Sequence, residues 1–209
     1  MIRILIVDDH AVVRRGLKEI LTDEPDIEVC ETADPREALR LTREQPWSLL
    51  VLDIDLPGKG GLELLQDVKR ELPRLPVLIL SVYPEEQFAV RTLKAGASGY
   101  LCKDSAPEEL VKAVRKILEG GKYFSVRVAE RLLERPNAKT TLFPHEALSD
   151  REFQILCLLG SGKKIKEIAG ELSLSPPTVS TYRARILEKM EMKTTAELMR
   201  YAIQNRLVN

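Results

Sequence analysis

The sequence of 209 residues is poor in cysteine, histidine and aromatic residues. Its three cysteines, Cys30, Cys102 and Cys157, cannot all pair and none belongs to a C-x-x-C motif, which argues against a disulfide framework. With only two histidines, His10 and His145, a zinc site would need ligands from distant segments. We therefore expect the cysteines to be buried or partly buried free thiols.

The sequence also lacks long apolar runs. No stretch approaches the roughly 20 apolar residues that a membrane-spanning helix needs. The apolar run at the N-terminus reaches two aspartates after six residues, which is too short for a signal peptide, and no small-residue cleavage site follows. We therefore expect a cytoplasmic location and no membrane partner.

Charge is balanced over the whole chain but not along it. The chain carries 32 Lys and Arg and 32 Asp and Glu. Residues 1–125 hold 18 basic and 22 acidic residues, a net charge of −4, whereas residues 126–209 hold 14 and 10, a net charge of +4. This asymmetry predicts different partners for the two halves, and the basic half is compatible with nucleic acid without requiring it.

The first 120 residues alternate between two hydrophobic patterns, one typical of buried strands and one typical of amphipathic helices. The predicted strands are Ile2–Val7, Ile27–Ala33, Ser48–Leu52, Val77–Leu80 and Ser98–Cys102. The predicted helices are Ala11–Leu21, Pro35–Glu44, Gly60–Leu72, Glu85–Ala95 and Pro107–Leu118. This alternation indicates an α/β fold built on a five-stranded, doubly wound parallel sheet.

The second half of the chain changes to helical patterns alone. Val126–Leu133 predicts a short helix or linker, and residues 135–144 are polar and bracketed by prolines, as in a loop. The helices predicted beyond it are Asp150–Leu159, Lys164–Leu172, Pro176–Met190 and Thr195–Asn205. Ser149 and Glu152 show the capping-box spacing at the start of the first of them. We therefore expect a second, small all-α domain.

Polar residues stand where the predicted strands end. Asp8 and Asp9 follow the first strand, Asp53 the third, Ser81 the fourth and Lys103 the fifth. Because the carboxyl ends of parallel strands meet at one edge of the sheet, we expect these five side chains to converge there. Taken singly, an aspartate or serine at such a position is also a common helix cap. Five such residues at the correct strand ends favour a functional site.

The chemistry of this group is restricted. Neighbouring carboxylates repel each other unless a hard cation lies between them, and Mg²⁺ accepts a few carboxylates while it keeps several waters. A carboxylate can attack phosphorus and form an aspartyl phosphate. A lysine and a cation neutralise the charge that phosphoryl transfer develops, and a hydroxyl can bond to an oxyanion. The group therefore predicts Mg²⁺-dependent phosphoryl chemistry on a carboxylate.

Residues 1–120 resemble a response-regulator receiver domain, which has a flavodoxin-like fold. The resemblance is carried by the strings ILIVDDH, VLDIDLPGKGG, VLILS and AGASGYLCK. It implies that Asp53 is the phosphoacceptor and that Lys103 and Ser81 complete the catalytic set.

The same resemblance implies a metal site and a conformational switch. The implied Mg²⁺ ligands are Asp8, Asp9, Asp53 and the backbone carbonyl of Asp55. The implied switch pair is Ser81 and Tyr100. On phosphorylation, Ser81 would move to the phosphoryl group, Tyr100 would move inward, and the surface from Glu85 to Leu118 would become a docking face.

Four positions depart from the receiver pattern. Val82 follows the switch hydroxyl where a small residue is usual, and Gly60 stands where Asp or Asn is common. Asp55 and Tyr83 occupy positions that tune the lifetime of the phosphoryl group in such proteins. We expect these departures to change rates and not the identity of the acceptor.

An enzyme alternative rests on the Asp-x-Asp of VLDIDLP, which haloacid-dehalogenase-like phosphatases also carry after a strand. Those enzymes usually place it on the first strand of the chain and have further acidic residues after the lysine. Here another acidic pair comes first, and Pro57 stands where they have Thr or Val. The sequence therefore favours the receiver.

In the second half, two predicted helices joined by the short turn Ser173–Ser175 indicate a helix-turn-helix. The predicted buried face of its second helix comprises Val179, Ile186, Leu187 and Met190. The predicted exposed face comprises Ser180, Thr181, Arg183, Ala184 and Arg185. A second helix that exposes basic and small polar residues is suited to DNA, although a solvated surface helix has a similar charge.

This segment resembles the LuxR-type DNA-binding domain of the NarL/FixJ family, through the strings LSDRE and GKKIKEIAGELSLSPPTVSTYRARILEKM. The residues implied to lie over base edges are Ser180, Thr181 and Ala184. The residues implied to contact phosphates are Lys163, Lys164, Lys166, Arg183, Arg185 and Lys189. The implied dimer contacts, on the last helix, are Leu198, Tyr201 and Ala202. The resemblance places Tyr182 on either the dimer side or the DNA-backbone side and does not choose between them.

Together these observations identify the chain as a member of the NarL/FixJ family of two-component response regulators. We expect a receiver over residues 1–122, a linker with a short helix over 123–144 and a helix-turn-helix domain over 145–209. The expected partners are a histidine kinase, double-stranded DNA and a second copy of the chain, and no enzymatic turnover is expected. The alternative is a phosphorylation-independent DNA-binding regulator whose receiver-like domain serves dimerisation.

Overall fold

The computed structural model describes residues 1–56, 60–83, 85–125, 128, 143–205 and 207–208. The chain divides into two compact units, residues 1–132 and 133–209. The first is an α/β unit and the second is helical, which confirms the predicted fold class. Within these residues, no helix combines the length and apolarity required to cross a bilayer.

The first unit alternates strands and helices as the hydrophobic pattern predicts. Its strands are β1 (Ile2–Val7), β2 (Ile27–Thr32), β3 (Leu49–Asp53), β4 (Val77–Ser81) and β5 (Gly99–Cys102). Its helices are α1 (Ala11–Thr22), α2 (Pro35–Glu44), α3 (Gly61–Glu71), α4 (Glu85–Lys94) and α5 (Ala106–Leu118). A 3₁₀ turn, Lys103–Ser105, leads from β5 to α5.

The second unit is built from four described helices. They are α6 (Asp150–Gly160), α7 (Ile165–Glu171), α8 (Pro176–Lys189) and α9 (Thr195–Gln204). A 3₁₀ turn, Pro144–Ala147, precedes α6. The predicted capping box is present, because the Ser149 hydroxyl accepts from the backbone N–H of Glu152 and the Glu152 carboxylate accepts from that of Ser149.

The five strands form one parallel sheet in the order β2-β1-β3-β4-β5. From β1 the chain moves to one side to make β2 and then crosses to the other side to make β3. The topological switch point therefore lies between β1 and β3, which is where ligands bind in doubly wound sheets. Asp53 is the last residue of β3, and Asp8 directly follows β1.

The central strands are buried on both faces, as expected for a parallel sheet covered by helices. All of β3 and β4 is buried, and so is β1 from Ile4 to Val7. On one face the strands pack against apolar residues of α1 and α5, namely Leu17, Leu21, Leu110, Val114 and Ile117. This core holds the strand ends in place and thereby positions the polar residues that follow them.

The first unit continues beyond α5. The N–H of Tyr100 donates to the carbonyl of Tyr123 at 2.8 Å, and the N–H of Tyr123 donates to the carbonyl of Ser98 at 3.0 Å. The N–H of Ser125 donates to a carboxylate oxygen of Glu85 at 2.7 Å. Residues 123–125, predicted to begin the linker, are thus bonded to β5 and α4. The rest of the predicted linker lies largely outside the described residues, including the predicted helix apart from Val128.

In the second unit, α9 packs closely on α6. A Cβ atom on Gly160 would lie 2.6 Å from the Cβ of Ala202. Leu198 and Ala202 are fully buried in this unit, so their prediction as dimer contacts is wrong. The pattern of α9 indicated an apolar face, but that face covers α6. Tyr201 is half-buried, and its hydroxyl lies 2.7 Å from Nδ1 of His145.

Candidate functional site

Asp8, Asp53 and Lys103 meet at the carboxyl edge of the sheet. The Nζ atom of Lys103 lies 2.7 Å from Oδ2 of Asp8 and 2.7 Å from Oδ2 of Asp53. Both carboxylates are buried, and the Lys103 side chain is only 10% exposed. One ammonium group is therefore shared by two buried carboxylates, which leaves an excess negative charge in a poorly solvated place.

The environment shifts the ionisation of both kinds of group. Burial raises the pKa of Asp53, and the neighbouring charge of Asp8 raises it further, while Lys103 opposes the shift. Burial works against the charge of Lys103, but the two carboxylates outweigh it and the pKa of Lys103 is raised. A divalent cation at this edge would relieve the remaining repulsion between the carboxylates.

Asp9 and His10 extend this cluster towards solvent. Nδ1 of His10 lies 2.7 Å from Oδ1 of Asp9 and 3.5 Å from Oδ1 of Asp8. One potential ligand atom from each of Asp8, Asp9, His10 and Asp53 lies within 4.8 Å of the others. Three carboxylates fit the oxygen preference of Mg²⁺. His10 was not among the predicted site residues, although its place directly after the acidic pair could have indicated it.

The backbone after β3 holds Asp53 in position. The N–H of Asp55 donates to Oδ1 of Asp53 at 3.1 Å, and the N–H of Gly61 donates to the carbonyl of Ile54 at 2.9 Å. A Cβ atom on Gly61 would lie 2.0 Å from the carbonyl oxygen of Asp53, so only glycine fits here. The sequence prediction missed this requirement, for which the adjacent Gly60 and Gly61 were the only signal.

The two predicted switch residues, Ser81 and Tyr100, are both buried. The Ser81 hydroxyl accepts from the N–H of Tyr83 at 3.0 Å. The Tyr100 hydroxyl donates to the carbonyl of Tyr83 at 2.8 Å, and burial raises the pKa of Tyr100. In the structure Tyr100 is therefore buried, with its hydroxyl bonded to the backbone just after β4.

The second unit contains the predicted helix-turn-helix. Ser173, in the turn between α7 and α8, has a positive φ of 51°. Val179, Ile186 and Met190 are buried as predicted, whereas Leu187 is only half-buried. The predicted DNA-contacting residues that are exposed are Lys164, Lys166, Thr181, Ala184, Arg185 and Lys189. Those that are half-buried are Lys163, Ser180 and Arg183.

Several of these basic residues have partners within the unit. Lys189 Nζ lies 2.6 Å from a carboxylate oxygen of Glu152, whose side chain is 4% exposed. Lys163 forms an ion pair with Glu171. Lys189 thus neutralises a buried carboxylate, a structural role that the sequence did not indicate.

A concave basic surface lies beside α8. It contains a pocket of about 510 Å³. The basic residues that line this pocket are Lys163, Lys164, Lys166 and Arg183. Thr195, at the start of α9, completes one wall and lies 3.5 Å from a terminal guanidinium nitrogen of Arg183. A surface of this charge is suited to the phosphates of a nucleic acid.

Comparison with known families agrees with both parts of the molecule. Residues 4–115 match the family model described as "Response regulator receiver domain". Residues 146–202 match "Bacterial regulatory proteins, luxR family". The chain belongs to the response regulators with a LuxR-type DNA-binding domain. This response regulator therefore carries the two predicted domains, and the haloacid-dehalogenase alternative is set aside.

Relatives of this response regulator match over its whole length. It is 36% identical to response regulator GacA of Pseudomonas aeruginosa, over 100% of this chain and 99% of that protein. It is 35% identical to response regulator UvrY of Escherichia coli K12, over 100% and 97% respectively. Among solved structures it resembles RcsB of Salmonella enterica serovar Typhimurium bound to a promoter in the presence of the phosphomimetic BeF3-, with 25% identity, a TM-score of 0.62 and coverage of 96% and 97%.

Proposed function

We propose that this response regulator is switched by phosphorylation of Asp53 and that the switch controls its binding to DNA. The observation that carries the proposal is the buried triad in which Lys103 lies 2.7 Å from both Asp8 and Asp53. A carboxylate oxygen of Asp53 attacks the phosphorus of a phosphohistidine on a histidine kinase. The phosphorus–nitrogen bond breaks, and an acyl phosphate forms on Asp53.

The residues around Asp53 supply the charge that this transfer needs. Asp8, Asp9, Asp53 and the backbone carbonyl of Asp55 would hold Mg²⁺, which neutralises the oxygens of the incoming phosphoryl group. Lys103, which bridges Asp8 and Asp53, provides a fixed positive charge beside the acceptor. Burial excludes water and strengthens both effects.

A short segment after β4 offers a route from the phosphoryl group to the linker. Ser81 now accepts the N–H of Tyr83, and moving its hydroxyl to the phosphoryl group breaks that bond. The carbonyl of Tyr83 accepts a hydrogen bond from the Tyr100 hydroxyl. Two residues later, the carboxylate of Glu85 accepts one from the N–H of Ser125. We propose that this segment couples Asp53 to the start of the linker and to the docking face from Glu85 to Leu118.

The helix-turn-helix is proposed to place α8 in the major groove, with Ser180, Thr181 and Ala184 over base edges. The proposed phosphate contacts are Lys163, Lys164, Lys166, Arg183, Arg185 and Lys189. In place of the buried Leu198 and Ala202, the exposed side of α9 is proposed as the homodimer contact. Ile203 on this helix is 57% exposed.

Intact mass spectrometry after incubation with Mg²⁺ and acetyl phosphate tests the acceptor. The wild type and the control Asp104→Asn, at an exposed aspartate, should each gain one phosphoryl group, and Asp53→Asn should gain none. The same samples are then titrated onto duplex DNA, and phosphorylation should raise the affinity of the wild type. An adduct on Asp53→Asn contradicts the assignment. A folded wild type that binds DNA without forming any adduct supports the phosphorylation-independent alternative.

A further inference from the structure

His10 lies at the carboxyl edge of the sheet, yet none of the roles discussed above uses it. It is the residue before α1, but its side chain makes no capping hydrogen bond to that helix. Its side chain is 62% exposed, so it does not belong to the core either. Neither capping nor packing therefore explains a histidine at this position.

The shorter of the two distances from His10 to the acidic pair is close to the distance between neighbouring metal ligands. Nδ1 of His10 is 2.7 Å from Oδ1 of Asp9 and 3.5 Å from Oδ1 of Asp8. In an octahedron with bonds of about 2.1 Å, adjacent ligand atoms are about 3.0 Å apart, and opposite ones are about 4.2 Å apart. The four potential ligand atoms all lie within 4.8 Å of one another, so modest side-chain movements would bring them to octahedral separations.

The local backbone keeps this arrangement in place. The N–H of His10 donates to Oδ1 of Asp8 at 2.7 Å, which fixes the start of the side chain against the acidic cluster. A guanidinium nitrogen of Arg14 donates to the carbonyl of Asp8 at 2.7 Å and holds the same turn from the α1 side. The imidazole is thus presented to the cluster before any ion binds.

We propose that Nδ1 of His10 is a direct ligand of the cation at this site and that it shifts the preference of the site from Mg²⁺ towards first-row transition ions such as Fe²⁺ or Co²⁺. Mg²⁺ strongly prefers oxygen donors, whereas imidazole suits the later first-row ions. A site with three carboxylates and one imidazole therefore binds those ions more tightly than an all-oxygen site does. This inference rests on the proposed metal-dependent function of Asp53 and makes His10 a specificity-determining residue.

The competing explanation is that His10 only donates a hydrogen bond to Asp9 and thereby positions its carboxylate. His10→Asn separates the two explanations, because the asparagine amide can still donate to Asp9 but supplies no imidazole nitrogen. His145→Asn is the matched control, since His145 is the other histidine of the two in the chain and lies in the second unit.

The experiment measures dissociation constants of the full-length protein for Mg²⁺ and Co²⁺ by calorimetry. We expect the ratio of the Mg²⁺ constant to the Co²⁺ constant to fall about tenfold or more in His10→Asn, as loss of a metal-ligating group implies. In His145→Asn the ratio should equal that of the wild type. Proton NMR of the Co²⁺-loaded protein should show paramagnetically shifted imidazole ring protons in the wild type and in His145→Asn, but none in His10→Asn.

An unchanged ratio in His10→Asn, or a Co²⁺-loaded wild type without shifted imidazole protons, overturns the assignment of His10 as a ligand. If His10→Asn does not fold, His10→Gln and the NMR spectrum of the wild type decide the question. A wild type that binds neither ion contradicts the proposed metal site as a whole. If both ions bind but no imidazole protons are shifted, the metal site stands and only the role of His10 as a ligand is overturned.

Discussion

The two units use charged residues in opposite ways. In the first, Asp8 and Asp53 are buried and share Lys103, whose side chain is 10% exposed. In the second, Lys164 and Lys166 are exposed on the surface near α8. Buried charges interact strongly over short distances, whereas exposed charges are screened but can attract a large polyanion. The first arrangement suits chemistry on one carboxylate, and the second suits binding along a DNA backbone.

The comparison predicts very different effects for the loss of one lysine from each environment. Lys103→Met leaves two buried carboxylates without a counter-charge, and we expect the free energy of unfolding at neutral pH to fall by about 3–5 kcal/mol. The measurement is urea unfolding in the presence of EDTA and again with Mg²⁺, which should restore part of the loss. The control Lys112→Met, at an exposed position of α5, should change stability little. Equal losses for the two variants would contradict the burial argument.

The close approach behind Asp53 predicts the next largest effect. Gly61→Ala forces a Cβ atom to within 2.0 Å of the carbonyl oxygen of Asp53, and the backbone around the acceptor must shift. We expect a loss of about 1–3 kcal/mol in unfolding free energy, or more, and slower phosphorylation by acetyl phosphate. Gly60→Ala is the matched control, because a Cβ atom there meets nothing within 4 Å. A Gly61→Ala protein with wild-type stability would show that this contact is easily relieved.

Two lysines of the second unit should behave differently although both were predicted to contact phosphates. Lys166 is exposed, so Lys166→Ala should weaken binding to duplex DNA and leave the free energy of unfolding unchanged. The slope of the logarithm of DNA affinity against the logarithm of salt concentration should become shallower by about one. Lys189 pairs with the buried carboxylate of Glu152, so Lys189→Ala should lower the free energy of unfolding by about 1 kcal/mol. Fluorescence anisotropy with labelled DNA and urea unfolding measure the two effects. Identical behaviour of the two variants would remove the distinction between surface and structural lysines.

The raised pKa of Asp53 predicts a pH-dependent difference between the wild type and Asp53→Asn. Because folding raises this pKa above its unfolded value of 3.8, the carboxyl group favours folding below that value, and its contribution is lost as pH rises through the folded value. Metal-free Asp53→Asn should therefore become more stable relative to the wild type as pH rises above about 4. Urea unfolding of both proteins at a series of pH values from acidic to neutral measures the difference. A difference that does not change with pH would contradict the predicted shift.

Much of the fold was predictable because its signals are local. β1, β3 and β4 are short apolar runs, and the polar residues directly after them stand at the carboxyl edge because strands in a parallel sheet share one direction. The helix-turn-helix was predictable for the same reason, since the spacing of Val179, Ile186 and Met190 defines its buried face. Family strings then added roles that spacing alone does not provide.

The remaining features depend on contacts between residues far apart in the chain. The apolar face of α9 was read as a dimer surface, but Leu198 and Ala202 pack within their own unit. Lys189 was read as a phosphate contact, and only its distance to Glu152 reveals a second role. Tyr123 lies beyond the last predicted strand, yet it pairs with β5. Helical periodicity shows that a face is apolar and does not show what covers it.

The sequence by itself determined the two-part organisation, the alternation of strands and helices, and the identity of the acidic residues and the lysine at the strand ends. Only the tertiary structure decided that Lys103 bridges Asp8 and Asp53, that Gly61 must lack a side chain, and that His10 faces the acidic cluster. The reason is physical. Hydrophobic periodicity and turn chemistry act over a few neighbouring residues, whereas a contact such as that between Lys103 and Asp53, 50 residues apart, exists only once the sheet has brought the strand ends together.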